Sequence, residues 1–192
     1  MTRYLPPCTV ALALCLLTAC AQTQDATALE SSTPTELAPS ALLPTPYTAE
    51  QIRDANPPGT RLRFLLTTPD QPGMLQTFRW IGGDETMSVL ESTVAPADGS
   101  ADGTTQVSES KWAELRDHAA FPAVATVRGE GPCQVGAGWF DCLTYVVTDA
   151  AVDPPVVNHF YFARGRPGPP VLLYAEQNGR EVFRMELIED SR

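Results

Sequence analysis

The sequence predicts an α+β, mainly β fold: a curled antiparallel sheet (a half-barrel) of about nine or ten strands with two short helices. Segments in which apolar and polar residues alternate follow one another with turn-forming residues between them, which is typical of half-buried strands. Helix-capping residues followed by helical spacing occur at two places in the chain. Because a sheet of this width rarely stays flat, we expect it to curl.

The first helix is predicted to begin immediately after Tyr47. Thr48 and Gln51 match a capping box, and Tyr47 and Ile52 have the spacing of a hydrophobic staple. The Asn56-Pro57-Pro58-Gly59 run then ends the helix. Alternation of apolar and polar residues predicts the next strands at residues 62–66, 76–81, 87–94 and 104–108.

The second helix is predicted to start at Ser110, a good N-cap residue, and to run through Ala120. Trp112, Leu115 and Ala119 fall on one face of this helix and are expected to pack against the sheet. The remainder of the chain predicts strands at residues 123–128, 132–136, 139–148, 156–164, 170–176 and 180–189.

Asn178-Gly179 is the clearest turn signal in the sequence, typical of a two-residue type I′ hairpin. A regular hairpin centred on this turn would pair Tyr174 with Phe183 and Leu172 with Met185. The last two strands are therefore predicted to form a hairpin with one apolar face.

Cys133 and Cys142 are predicted to form a structural disulfide across another hairpin. If Ala137-Gly138 is the turn, the two cysteines lie directly opposite each other in a non-hydrogen-bonded pair. The Cα atoms of such a pair are about 4.5 Å apart, within the range of a disulfide. A redox-active role is disfavoured because the spacing is not C-x-x-C and no helix N-terminus follows to lower a thiol pKa.

Residues 1–19 are predicted to be a signal peptide. Arg3 supplies a positive start and residues 10–17 an apolar stretch that is too short to span a bilayer. Leu17-Thr18-Ala19-Cys20 resembles the lipobox of bacterial lipoproteins, which implies that Cys20 is acylated and anchors the protein. Ala21 after the cysteine implies the outer membrane. An ordinary secretory signal with a chance cysteine, or a short membrane anchor, remains an alternative.

Residues 20–46 are predicted to be the lipidated cysteine and a disordered tether rich in Pro, Thr and Ala, followed by a single β-rich domain at 47–192. The chain has 13 basic and 23 acidic residues and a formal charge of −10. This excess of acidic residues excludes the class of nucleic-acid-binding proteins. It also keeps the domain off anionic lipids, so the lipid anchor is the predicted membrane contact, and the domain faces either the periplasm or the outside.

The order of elements in residues 60–189 resembles the half-barrel of the LolA/LolB type of bacterial lipoprotein carriers. Residues 160–163, 167–171 and 178–179 look like the closing strands of such proteins. The resemblance implies that the curled sheet binds a lipid or another apolar ligand. An SRPBCC-like or lipocalin-like sheet would give a similar pattern.

The motifs of enzymes are missing from the sequence, so a non-enzymatic role is expected. There is no G-x-S-x-G motif and no phosphate-binding loop ending in Gly-Lys-Ser/Thr. His118 and His159 are the only histidines, and a triad or a histidine-based zinc site would need both to meet suitable partners.

One segment fits the EF-hand calcium loop D-x-S-x-D-G-x5-E and is the only cofactor signal. Its candidate ligands are Asp98, Ser100, Asp102, Thr104, Gln106 and Glu109. The eighth position of the loop is Thr105, where EF-hands have an aliphatic residue. The segment that enters the loop is predicted to be a strand. A flexible connection would have the same composition.

A ligand site is predicted on the sheet. Large apolar residues on both faces exceed what two short helices can cover, as shown by Trp80, Trp139, Tyr161 and Phe162. Three arginines on adjacent strands could bind an anionic group, although a solvated outer face is the alternative: Arg61, Arg63 and Arg79.

The sequence therefore predicts a non-enzymatic envelope lipoprotein that binds an apolar ligand or lipid in its curled sheet. One alternative is a structural or assembly lipoprotein that engages another envelope protein through its sheet edges or the Pro-rich loop at 165–170. Another alternative is a calcium-binding lipoprotein that uses the 98–109 loop.

Overall fold

The computed structural model describes residues 41–192. Its helices are α1 (Ala49–Ala55) and α2 (Trp112–Asp117), and a 3-10 helix spans Ala123–Ala125. The strands are β1 (Arg61–Thr68), β2 (Gln71–Gly83), β3 (Met87–Pro96), β4 (Thr104–Lys111), β5 (Thr126–Val135), β6 (Gly138–Asp149), β7 (Val156–Ala163), β8 (Leu172–Gln177) and β9 (Arg180–Ser191). The predicted signal peptide, Cys20 and residues 20–40 of the predicted tether lie outside the described residues.

All nine strands form one open antiparallel sheet in the order β4-β3-β2-β1-β9-β8-β7-β6-β5. The predicted fold class is therefore confirmed. The strands predicted at 123–128 and 132–136 are one strand, β5, because Gly129 and Gly131 continue the pairing with β6 instead of forming a turn. In the described part of the chain, no helix has the length and apolar character needed to cross a membrane.

The sheet consists of two consecutive meanders that meet at β1 and β9. Strands β1–β4 pair in sequence order, as do β5–β9. The antiparallel pairing of Phe64 with Leu187 lies at the centre of the seam between the two meanders.

The second meander curls, as predicted, so that the tip of the β5–β6 hairpin reaches β9. Gly136 N donates to Glu186 Oε1 at 2.7 Å, and Ala137 N donates to Leu187 O at 3.0 Å. A Cβ atom at Gly136 would lie 3.0 Å from Ile188 Cγ2, so glycine permits this close approach.

One face of the sheet, which we call the helix face, forms the main core. Phe64, Tyr145 and Leu187 on this face are fully buried. Ile52 of α1 and Phe121, which follows α2, pack into the same cluster. Alternation along the strands places the opposite set of side chains on what we call the outer face.

The predicted start of α1 is confirmed. Thr48 Oγ1 accepts from Gln51 N at 3.1 Å, and Gln51 Oε1 accepts from Thr48 N at 2.8 Å. Tyr47 and Ile52, the predicted staple pair, are both buried, and Asn56 caps the C-terminus of the helix.

The predicted N-cap of α2 is wrong by one residue, because Ser110 belongs to β4, where it pairs with Ser88, and Lys111 is the N-cap. Continued pairing with β3 satisfies the Ser110 backbone, so the helix starts at Trp112. The predicted apolar face is confirmed, since Trp112 and Ala119 are buried and Leu115 packs against the core.

The folded region begins before the predicted boundary at residue 47. Leu43 N donates to Phe121 O at 2.9 Å, and Ala123 N donates to Ala41 O at 2.8 Å. Tyr145 Oη donates to Pro44 O at 2.9 Å. Residues 41–47, which we call the N-terminal strap, thus lie along the helix face. Local composition could not reveal these long-range hydrogen bonds.

The turn at Asn178-Gly179 is confirmed, but the predicted strand register is wrong by one residue. Both turn residues have positive φ, 55° and 68°, as a type I′ turn requires. A bulge beside Ala175 then inserts an extra residue in β9, so that Tyr174 pairs with Arg184, and not with Phe183. The bulge likewise pairs Leu172 with Glu186 in place of Met185.

Cys133 and Cys142 lie at disulfide distance, with Cα atoms 5.9 Å apart. The predicted direct pairing of the two is wrong, because the turn residues are Gly136-Ala137. Cys133 therefore faces Phe140, and Cys142 is displaced by two residues along β6. This diagonal arrangement still brings the two side chains together.

Replacing Cys133 and Cys142 together by alanine is expected to lower the free energy of unfolding by about 2–3 kcal/mol, because the cross-link restricts the unfolded chain. Urea unfolding followed by circular dichroism measures the loss, in a Cys20→Ser background that removes the third exported thiol. Treating the unmutated pair with reductant provides the control and should give a similar loss. Equal stability of the oxidised and double-alanine proteins would contradict the prediction.

Candidate functional site

The candidate site is a band of partly exposed apolar side chains on the helix face. Burial falls with distance from α1 on several strands, although not on β8, where Ala175 is buried. On β1, Phe64 is fully buried and Leu66 is only partly buried. The same change occurs from Leu187 to Met185 on β9. We define the apolar band by its five members: Leu66, Phe78, Val147, Phe160 and Met185.

The strap and the segment after α2 cover the other side of this face. The Tyr47 ring contacts Phe162 edge-on at a centroid distance of 6.0 Å. The Phe121 ring lies 4.7 Å from Phe160 and 5.2 Å from Tyr145. Tyr47 Oη donates to Ala163 O at 2.6 Å, and burial raises the pKa of Tyr47 far above its usual value. This side is therefore a closed core, and Phe160, a member of the apolar band, lies at its border because Phe121 contacts its ring. The other members of the band are partly exposed.

The structure does not bring Trp80 together with the three predicted arginines. Trp80 is 3% exposed on the helix face, whereas Arg61 and Arg79 pair across β1 and β2 on the outer face. Arg63 Nη1 lies 3.0 Å from Glu189 Oε2, and Arg61 contacts the same carboxylate.

These two ion pairs change the pKa of the carboxylate that they share, Glu189. Hydrogen bonds from Arg63 and then Arg61 lower the pKa of Glu189. The third predicted arginine, Arg79, has its Nη1 3.8 Å from Glu91 Oε1. The predicted cationic cluster therefore consists largely of ion pairs on an exposed surface.

The predicted calcium ligands are also not brought together. Asp98, Ser100 and Asp102 lie in the connection between β3 and β4, and Asp98 Oδ1 accepts from Ser100 N at 2.9 Å. The other three, Thr104, Gln106 and Glu109, lie on β4. Because successive side chains of a strand point to opposite faces, Glu109 lies on the face opposite Thr104 and Gln106. Within residues 41–192 there is no group of three or more His, Cys, Asp or Glu that could hold a metal ion.

His118 and His159 lie on separate elements. His118 caps α2, and His159 stacks on Tyr174 on the outer face with ring centroids 4.2 Å apart. Arg184 lies over the same tyrosine, 5.3 Å from its centroid, and burial is the main cause that raises the pKa of Tyr174 to about 12. This aromatic stack supports the sheet and leaves Tyr161, another predicted site residue, on the outer face beside it.

A cleft of about 430 Å³ lies beside the C-terminus of α1. Asn56 is 1% exposed at its base and donates from Nδ2 to Ile52 O and Pro167 O at 2.7 and 2.9 Å. Nearby, Arg192 Nη2 pairs with Asp190 Oδ2 at 2.8 Å, and both side chains are only 8% exposed. These contacts hold the β7–β8 connection and the C-terminus against α1.

No protein-family model matches the sequence, and no curated protein matches it. Among solved structures, the chain is similar to a crystal structure from Bacteroides fragilis described as an exported protein with a YmcC-like fold. The two share 12% sequence identity with a TM-score of 0.46, over 71% of this chain and 97% of that chain. The resemblance to lipoprotein carriers stays a prediction.

The members of the apolar band are not among the residues that the sequence predicts for a ligand site. Trp80 and Phe162 stand out by their size, but these residues are buried. The residue two positions further from α1 on the same strand is in each case partly exposed: Phe78 and Phe160. Alternation predicts which face a side chain occupies, but the extent of the cover on that face depends on long-range packing of the strap.

Proposed function

We propose that this protein is a non-enzymatic, acylated protein of the bacterial outer membrane that binds an apolar ligand along its apolar band. The gradient of burial on the helix face is the observation that carries this proposal. Contiguous exposed apolar surface on a folded domain is typical of a ligand-binding or interaction site. Here the cover stops short, and Leu66, Phe160 and Met185 remain partly accessible.

The chemistry of the band favours a flexible hydrocarbon chain as the ligand. Its side chains offer hydrocarbon and aromatic surface, and Met185 and Leu66, which pair across β1 and β9, are flexible enough to adapt to a ligand. Removing the remaining exposed apolar area from water stabilises a complex by about 25 cal/mol per Å². A lipid acyl chain matches this surface and would leave its headgroup in solvent.

The arrangement of charge supports the same conclusion. The predicted cations Arg61 and Arg63 lie on the opposite face, where they already contact Glu189. On the helix face, Arg128 lies over the Tyr145 ring, 5.8 Å from its centroid. The apolar part of a ligand would therefore provide most of the binding free energy, and its headgroup would be weakly discriminated.

Leu66→Asp is expected to weaken binding of an apolar fluorescent dye on the order of tenfold, because a charge replaces half-buried hydrocarbon in the band. The measurement is a fluorescence titration of the chain that starts at residue 20, with Cys20→Ser, purified without detergent. Native mass spectrometry of the same sample is expected to show a co-purifying lipid.

Leu65→Asp provides the matched control. Leu65 is the preceding residue on β1, and it points to the outer face opposite Leu75. This variant should change dye affinity by less than about twofold. Equal effects of the two variants, or a lipid-free protein that takes up no dye, would contradict ligand binding and favour the structural or assembly role.

A further inference from the structure

An exposed group of apolar residues surrounds the point where the chain joins the folded domain. Leu42, Val124 and Val127 are 60%, 84% and 71% exposed, and we call them the apolar corner. Leu42 forms a bridge with Pro122, and Ala123 N donates to Ala41 O. Ala41, the first residue that the structure describes, therefore lies beside this corner.

The corner lies at the end of the sheet farther from α1, which we call the open end. Val127 pairs with Val146, and Thr126 pairs with Val147, a member of the apolar band. The strap runs from Tyr47, which contacts Phe162, to Ala41 at this end. The apolar corner thus borders the band at the Thr126–Val147 pair, while the Val127 side chain itself points to the outer face.

The segments that form the corner carry no charge, although the chain has a formal charge of −10. Residues 41–49 and 119–127 contain no Asp, Glu, Lys or Arg, and Arg128 is the next residue along β5. An uncharged surface can enter the interface of a bilayer without the cost of desolvating ionic groups. Single exposed valines are common. Here, however, the exposed apolar residues lie beside Ala41, on the side of the domain that follows the predicted lipid anchor in sequence, where they can contact the membrane.

We propose that the apolar corner docks onto the surface of the lipid bilayer in which Cys20 is anchored, so that the open end of the sheet faces the membrane. The inference rests on the proposed lipid anchor and deepens the proposed function. Twenty residues separate Cys20 from Ala41, so the domain stays within about 70 Å of the bilayer. At the resulting effective concentration, a weak apolar contact is sufficient for docking.

Acidic residues at the open end determine which lipid surface fits. The connections between strands at this end carry Asp70, Asp98, Asp102 and Asp153, Asp149 ends β6, and Arg180 begins β9 at the same end. These carboxylates are repelled by anionic headgroups, so the corner is expected to dock onto a zwitterionic phospholipid. A ligand could then pass between the bilayer and the apolar band over a short distance.

The orientation is tested with the full acylated protein in phosphatidylcholine vesicles whose acyl chains carry bromine, a quencher of tryptophan fluorescence. Val124→Trp places a reporter at the corner, and Val107→Trp places one on β4, where the native valine is also exposed, at 59%. After subtraction of the wild-type signal, quenching is expected to be at least about twofold greater at residue 124, because docked apolar residues enter the headgroup boundary. Equal quenching at both positions, or none at either in protein that floats with the vesicles, would overturn the proposed docking.

A second measurement follows the transfer of dye from vesicles to the protein. Val124→Asp combined with Val127→Asp should slow transfer severalfold and leave dye affinity in solution unchanged, while Val107→Asp should alter neither. Unchanged transfer by the double variant would reject docking through the corner. If the wild type itself does not bind the dye, the proposed ligand function is rejected. If the protein still floats with the vesicles after Cys20→Ser, the proposed lipid anchor is rejected.

Discussion

Replacing Phe64 by alanine is expected to lower the free energy of unfolding by about 4 kcal/mol. Phe64 is fully buried at the seam between the two meanders, and truncating a buried aromatic residue both loses apolar burial and leaves a cavity. Its ring contacts Phe78 edge-on at a centroid distance of 5.7 Å, and this contact is lost as well. Urea unfolding followed by circular dichroism measures the change.

Phe78→Ala is the matched control for this prediction. Phe78 occupies the same face on the neighbouring strand but is only partly buried, so its loss is expected to be about half as large. Equal losses for the two variants would show that burial does not decrease across the helix face as described, and would remove the main support for the apolar band.

Replacing Arg192 by alanine is expected to lower the free energy of unfolding by about 3 kcal/mol. The variant leaves the buried Asp190 carboxylate with only the more distant Arg166 Nη1, 3.7 Å away, as a cationic partner. Breaking a buried pair from one side is strongly destabilising. It also removes the hydrogen bond from Arg192 Nη1 to Pro167 O, which is 3.0 Å long. The same unfolding experiment provides the measurement.

Two further variants separate the buried pair from a general effect of charge. Arg116→Ala removes a more exposed pair with Asp117 and should cost less than about 0.5 kcal/mol. Asp190→Asn combined with Arg192→Gln removes both charges and is expected to cost less than Arg192→Ala alone. If Arg192→Ala is as harmless as Arg116→Ala, the C-terminal pair does not stabilise the fold.

Local signals in the sequence predicted the fold class and several element boundaries. Thr48 and Gln51 define the start of α1 because their hydrogen bonds reach only three residues along the chain. Asn178-Gly179 predicts its turn for the same reason, since both residues tolerate positive φ. Such features depend on neighbours in sequence and can be predicted without tertiary structure.

Features that depend on distant partners could not be predicted in the same way. The extra residue in β9 beside Ala175 becomes apparent only when β8 and β9 are aligned with the strands around them. Ser110 is a good helix cap by residue type, but pairing with Ser88 keeps it in β4. The accessible band likewise depends on where the strap crosses the sheet. The strap is at least 74 residues away along the chain from Phe121 and Tyr145, the residues that it contacts.

The position of β9 has a consequence for biogenesis. It is the last of the nine strands to be synthesised, yet it lies between β1 and β8. Until it arrives, the two meanders expose facing edges that can pair with other chains. A nascent or C-terminally trimmed polypeptide would therefore present two incomplete half-sheets, prone to aggregation, and a chaperone that shields them until the final strand is released would favour correct assembly.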